Sequence, residues 1–253
     1  MSARAAGVGA LAATTLTLAL APVLPVAGAA PAGQPGVAKR TVTTRLSDEQ
    51  RLSRWAYPAR RASIRTAPST SGRRIAQLRL QTEDGLPETY LLLERREGPG
   101  GQDWVRLRIP ARPNGRTGWV PRDALGDFHQ VRTAVLVDRK RLRVTVRRSG
   151  KLVVSFPIGI GKRGTPTPAG RFWIREKFQI AAAGGIYGPR ALGTSAYAPY
   201  LTDWPNGGVV GFHGTNQPGL IPGRPSHGCI RLRNGDIKRL YRLVPVGTPV
   251  HVV

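Results

Sequence analysis

Leu142-Arg-Val-Thr-Val-Arg-Arg-Ser-Gly-Lys-Leu-Val-Val-Ser-Phe156 carries the period of a half-buried strand, then a turn, then strand character again. Leu142, Val144 and Val146 alternate with Arg143, Thr145 and Arg147, so the arginines fall on one face and reach solvent. Ser149-Gly150 is the turn pair, and the whole stretch predicts a β-hairpin. Just upstream, Val135-Leu-Val137 is a further short apolar run. Downstream, Thr165-Pro-Thr-Pro-Ala-Gly170 predicts a rigid loop leading into Arg171-Phe-Trp-Ile174. Ala181 to Gly193 is small and Gly-rich, which predicts a mobile flap. A helix is predicted near the end, capped by Asn234, with Asp236 in its first turn, running to about Leu243 before Pro245. Thr248 to Val253 predicts a closing strand. These elements form one unit over residues 131–253.

A different pattern precedes it. Over residues 54–127, short apolar runs alternate with turn clusters such as Gly98-Pro-Gly-Gly101 and Pro113-Asn-Gly115. Five short strands in such a span predict a small barrel. Ile64-Arg-Thr-Ala-Pro-Ser69, Asp103-Trp-Val-Arg106 and Gly118-Trp-Val-Pro121 resemble a bacterial SH3-like domain, and the resemblance implies binding to cell-wall material. Trp104 and Trp119 read as core residues of that barrel. Residues 30–53 are rich in Ala, Gly, Pro and Arg and predict a linker, with one helical turn near Ser47-Asp-Glu-Gln50. The expected fold is therefore mainly β: a small SH3-like barrel followed by a second β unit with one or two short helices.

The chain has 253 residues, 40% of them hydrophobic and 21% charged, with 31 Gly and 22 Pro. This excludes a wholly disordered chain, a coiled coil and a polytopic membrane protein. Lys and Arg total 39 against 14 Asp and Glu, a net charge of +25. Two readings of that charge stand: a basic surface facing a polyanion such as an anionic wall polymer, or an Arg-rich composition without function. Residues 1–29 read as a secretory signal peptide, with Arg4, an uncharged run from Ala5 to Ala21, and small residues at Ala27-Gly28-Ala29. The alternative is an uncleaved anchor. Export places the protein in the cell wall or an equivalent space, and nucleic acid falls as a partner.

Cys229 is the lone cysteine, so it forms no internal disulfide. It lies in Ser226-His-Gly-Cys-Ile-Arg231, downstream of Gly211-Phe-His-Gly214. A thiol attacks carbonyls as thiolate and needs a base nearby, and two of the four histidines are close in sequence. Gly228 permits a tight turn, around which backbone N–H groups can hold an oxyanion. A strand over Cys229 to Leu232 would point Cys229 and Arg231 to one face, where Arg231 could pair with a substrate carboxylate. One Cys without a CxxC partner argues against structural zinc. No metal or organic cofactor is expected.

Taken together, His213-Gly214 and Ser226-His-Gly-Cys-Ile-Arg231 resemble the signature of YkuD-type L,D-transpeptidases of bacterial cell walls. Thr165 to Gly170 and Gly188-Pro-Arg-Ala-Leu-Gly193 are similar to that family as well. The resemblance implies a YkuD-type β-sandwich over residues 131–253. It makes Cys229 the nucleophile, His213 the general base and His227 a residue that orders the site. It further implies an oxyanion hole at Gly228 and Cys229, and Ser226 fixing the turn, with Gly214 beside the base. The implied reaction acylates Cys229 with a peptidoglycan tetrapeptide stem, releases D-Ala and passes the acyl group to an amine. Hydrolysis by an L,D-carboxypeptidase and a silent wall-binding protein remain the alternatives. A monomer is expected.

Overall fold

The structure is a computed structural model that describes residues 7, 9–14, 42–200 and 208–253. Most of the expected leader and linker lies outside the described residues. Gly7 and residues 9–14 carry no helix or strand, and no described helix is long and apolar enough to cross a membrane. The described residues from 42 onward form one compact unit built on two sheets.

The first sheet contains β1 (Thr43–Arg45), β2 (Ser53–Ala56), β3 (Ser63–Arg65), β4 (Arg74–Gln77), β5 (Tyr90–Glu97), β6 (Asp103–Arg108), β7 (Thr117–Pro121) and β8 (His129–Val131). Their order is β4-β3-β7-β6-β5-β2-β8, with β1 also on β5, and every pair is antiparallel. Ile64, Leu78, Leu92, Val105, Leu107 and Val120 fill its core. Trp104 and Trp119 are buried but lie outside this core, because each is adjacent in its strand to a core residue, Val105 or Val120, and so faces the other side of the sheet.

The expected linker is shorter than predicted, because its last part belongs to this sheet. Thr43, Thr44 and Arg45 pair with Arg96, Arg95 and Glu94 through main-chain bonds, with their own side chains exposed. The helical turn expected at Ser47 to Gln50 is absent. In its place Asp48 Oδ1 accepts N–H bonds from Gln50, Arg51 and Leu52 at 2.8, 2.7 and 3.0 Å, an aspartate-closed turn that competes with helix.

The second sheet contains β9 (Thr133–Asp138), β10 (Arg143–Arg148), β11 (Lys151–Pro157), β12 (Gly159–Gly161), β13 (Gly170–Gln179), β14 (Arg190–Tyr197), β15 (Val209–His213), β16 (Gly223–Ser226), β17 (Ile230–Arg231) and β18 (Pro249–Val252), with one helix, α1 (Asn234–Leu243). The order is β11-β10-β9-β18-β13-β14-β15-β17-β12-β16. β13 serves both ends of the sheet: Gly170 to Trp173 pair with β18, and Ile174 to Gln179 pair with β14. Val137, Val144, Val146, Ile158, Phe172, Ile174, Leu192, Phe212, Ile230 and Leu240 share one core.

The β10–β11 hairpin forms as read, with Val144 and Val146 buried, Arg143 and Arg147 exposed, and Ser149 and Gly150 at positive φ in the turn. Leu142 differs: it sits at φ 52 before the strand and does not extend the alternation. The expected flap is partly strand, because Arg190 to Gly193 open β14 and only residues 181–189 are irregular and turn-rich.

A buried ion network joins the sheets. Arg175 of β13 is fully buried and donates through Nε to Glu88 Oε1 at 2.8 Å and through Nη2 to Glu83 Oε2 at 3.0 Å. Arg79 also contacts both carboxylates, and the Tyr197 hydroxyl donates to Glu83. Beside this network, the Trp173 indole N–H donates to Thr89 O at 3.0 Å, and Asn114 exchanges two bonds with the Tyr197 backbone.

Candidate active site

Strand alternation sets the site. In β15, Val210 and Phe212 enter the core, so Gly211 and His213 face the other way. Phe212 pairs with Ile230 and His213 with Arg231 in the parallel β15–β17 ladder, which puts Cys229 beside Gly211. Across the neighbouring strands, Gly211 pairs with Gly193 and Gly193 with Glu176. One row therefore runs Glu176, Gly193, Gly211, Cys229 on a single face of the sheet. A second row runs Phe178, Ala191, His213, Arg231.

The turn before Cys229 is held from three sides. Gly228 has φ 131, a conformation closed to L side chains. Ser226 Oγ accepts from Gly228 N–H at 3.1 Å and donates to Cys229 O at 2.6 Å. Thr167 Oγ1 donates to Gly228 O at 2.7 Å and accepts from Gly161 N–H at 3.0 Å. The Pro-set loop thus anchors the cysteine turn through Thr167, a residue to which the sequence attached no role.

His213 is buried, and its Nδ1 lies 2.7 Å from Gly214 O. A carbonyl only accepts, so Nδ1 carries the hydrogen and Nε2 keeps the lone pair. Tyr187 packs edge-on against the imidazole, with ring centroids 5.0 Å apart. Burial lowers the His213 pKa to about 4; the Gly214 carbonyl pulls it upward and the Arg231 charge pushes it further down. Burial raises the Cys229 thiol, against a contact with the Gly211 backbone and the charge of Arg231. The resting pair is a neutral thiol beside a neutral imidazole, suited to proton transfer during attack.

Two clefts meet at this pair. One, of about 200 Å³, is lined by Cys229, His213, Ser226, His227, Arg231 and Tyr187. The other, of about 490 Å³, also contains Cys229 and His213 and extends to Glu176 and Asp84. His227 stands exposed at the rim of the first, and Arg231 is partly buried, its Nε without a hydrogen-bond partner among the described residues.

One expected role changes. The Gly228 N–H is engaged by Ser226 Oγ, so it is not an open oxyanion donor in this state. The expected cap also changes. Asn234 is the first residue of α1, after Arg233, and its Oδ1 accepts from Thr215 N–H at 2.9 Å.

The comparisons with known proteins fall on this half of the chain. Residues 132–252 match the model of the YkuD family, the L,D-transpeptidase catalytic domain. The match lies within the second-sheet half of the chain. That half is similar to a putative L,D-transpeptidase YkuD of Bacillus licheniformis, 36% identical over 121 residues, covering 48% of this chain and 64% of that protein. It is also similar to the probable L,D-transpeptidase ErfK/SrfK of Escherichia coli, 40% identical over 114 residues, covering 39% of this chain and 36% of that one. Among solved structures, the catalytic domain of the Enterococcus faecium L,D-transpeptidase matches at 30% identity with a TM-score of 0.35, covering 48% of this chain and 96% of that chain. The chain spans less than two thirds of the length of the two relatives named.

The geometry of the region that matches the YkuD model makes one substitution informative. A Cβ on Gly214 would lie 2.4 Å from Asn234 Oδ1 and 2.9 Å from the Gly188 Cα. Gly214→Ala must therefore move the carbonyl that orients His213. The expected result is a folded protein whose Cys229 is modified by an acylating probe about tenfold to a hundredfold more slowly, read by intact mass against time. An unchanged rate would show that this carbonyl does not set the base.

Proposed function

We propose that this protein is an exported peptidoglycan L,D-transpeptidase that works by acyl transfer through Cys229. The observation that carries this is the pairing of Cys229 and His213 in one cleft, with His213 Nδ1 fixed on Gly214 O.

The Cys229 thiol gives its proton to His213 Nε2 as sulfur attacks the carbonyl of the L-centre in the third residue of a tetrapeptide stem. The Cys229 main-chain N–H stabilises the developing oxyanion. The carbon–nitrogen bond to D-Ala breaks, and the D-Ala nitrogen takes the proton from the imidazolium, leaving a thioester. An amine on a second stem attacks that thioester, its surplus proton passes through His213 to the departing sulfur, and a 3→3 cross-link results. Arg231 faces a stem carboxylate, His227 orders the rim, and Ser226 and Gly228 hold the nucleophile's turn. The first sheet is read as an SH3-like module that holds the enzyme on the wall, and the +25 charge suits an anionic polymer there. The protein acts as a monomer and without nucleic acid.

Incubation with a disaccharide-tetrapeptide, followed by mass spectrometry of the products, tests this. A cross-linked dimer with a transient thioester is expected. Tripeptide alone would make the protein a hydrolase, and no adduct at all would leave a wall-binding role.

A pH profile adds an independent check. Thioester formation requires neutral His213, whose pKa is lowered to about 4. The rate should climb as pH rises through about 4 and stay level from 5 to 8. A midpoint near 6.5, the ordinary imidazole value, would contradict a buried base.

A further inference from the structure

Glu176 is 3% exposed and lines the larger cleft; Thr82 and Asp84 lie beside its carboxyl, yet neither carboxylate oxygen completes a well-formed hydrogen bond with the described residues. A buried acid whose oxygens lack well-formed hydrogen bonds is costly unless something charged or donating arrives to meet it. Its position explains what that is. Gly193 stands opposite Glu176 in the ladder, and a Cβ there would lie 2.6 Å from Glu176 Cγ and Oε1. The carboxyl therefore leans over Gly193, in space that any other residue would fill. Gly211 is next in the row, then Cys229. With the carboxyl over Gly193, Gly211 leaves an open floor between it and the nucleophile, and Gly193 to Cys229 is two strand spacings, about 10 Å.

A nitrogen hydrogen-bonded to that carboxyl on its near side sits over Gly211. From there it reaches a carbonyl carbon bonded to the Cys229 sulfur. Asp84, exposed on the loop between β4 and β5, lines the same end of the cleft and adds negative charge. The other cleft carries Arg231 and His227. The two sides of Cys229 are thus opposite in charge, as a donor carrying carboxylates and an acceptor carrying an ammonium group require.

Resting on the transpeptidase reading, we propose that Glu176 and Asp84 form the binding site for the ammonium group of the acceptor stem. The acceptor enters as R–NH₃⁺ and gives one proton to the Glu176 carboxylate, becoming R–NH₂. The free amine attacks the thioester carbonyl, the carbon–nitrogen bond forms, and the carbon–sulfur bond breaks. The second proton passes through His213 to sulfur, and Glu176 releases its proton to solvent as product leaves. Burial raises the Glu176 carboxyl to about 7; Thr82 and Arg175 oppose this and Asp84 reinforces it, so the group takes and returns a proton readily near neutrality. Asp84 comes from the first sheet, which makes that module part of the acceptor site.

The test uses the full chain and a disaccharide-tetrapeptide donor, with two nucleophiles offered at pH 7: a lysine-bearing stem tripeptide, which is cationic, and hydroxylamine, which is neutral. Glu176→Gln should raise KM for the tripeptide about tenfold or more. Thioester formation and hydroxylamine consumption should stay within about twofold. Asp84→Asn, on an exposed loop outside the core, should raise the same KM about threefold. An unchanged tripeptide KM in either variant would overturn the proposal. Equal slowing of thioester formation would also overturn it, by placing a donor amine at Glu176. A wild-type chain that forms no thioester would overturn the transpeptidase reading beneath it.

Discussion

Cys229→Ala should abolish thioester formation and cross-linking, a loss of at least about 10⁴-fold in rate. The size follows from the role. Removing a positioning group leaves the nucleophile to react slowly, whereas removing the sulfur leaves no atom to carry the acyl group. The substitution is structurally mild, because the turn around residue 229 is held by main-chain and neighbouring groups. Ser226 Oγ bonds Gly228 N–H and Cys229 O, and Thr167 bonds Gly228 O, none of which needs the thiol. The alanine variant should therefore melt within a few degrees of wild type, and intact mass after incubation with a tetrapeptide stem should show no adduct. Cross-linked product from this variant would end the covalent mechanism. A carbapenem offers the same readout with a different acyl donor, and its adduct should vanish in the same variant.

The parts of the fold that were legible are those where side-chain pattern and main-chain geometry agree. The β10–β11 hairpin has clean alternation on β10, strand-forming residues on β11 and a turn pair able to take positive φ, so the reading could hardly go elsewhere. The parts that escaped depend on contacts distant in sequence. Thr43, Thr44 and Arg45 show no apolar pattern because β1 binds β5 through its backbone alone. Asn234 looks like a helix cap, and is a good residue for one, but Thr215 N–H claims its oxygen from 19 residues away. The small residues from Ala191 to Gly193 suggest mobility when read singly; in the sheet Gly193 is small because Glu176 lies over it. His213, Ser226, His227, Gly228, Cys229 and Arg231 could be picked out because their motif is nearly contiguous. Glu176 and Asp84 could not, since their meaning exists only once β13, β14 and the first sheet's loop are brought together.

Arg175→Met should destabilise the protein by about 3–5 kcal/mol. Arg175 and Glu88 are both fully buried, and the guanidinium makes a charge-assisted fork to Glu88 while also holding Glu83. Methionine matches the stem of Arg175 but carries no charge, so Glu88 is left in the interior with the Thr89 N–H at 3.0 Å and, as its one cation, Arg79, itself partly exposed, at 3.1 Å. Breaking one side of such a pair costs more than the pair is worth, because the stranded charge keeps its full desolvation penalty. In a chain of this size the loss should lower Tm by about 10 °C or more. The double variant Arg175→Met with Glu88→Gln should recover part of that, and this separates a stranded charge from a simple packing defect. Acid dependence supplies a second signature. Burial would raise the Glu83 pKa, but Arg175, the Tyr197 hydroxyl and Arg79 overcome it and bring it to about 2. The folded chain therefore resists a proton that the unfolded chain accepts, and stability present above pH 4.5 is lost as pH falls towards 2. Arg175→Met should weaken that acid sensitivity while lowering stability at neutral pH. Because the network spans both sheets, wild type should unfold in one cooperative transition, and a variant that melts in two steps would show that Arg175 couples the two sheets as well as stabilising them.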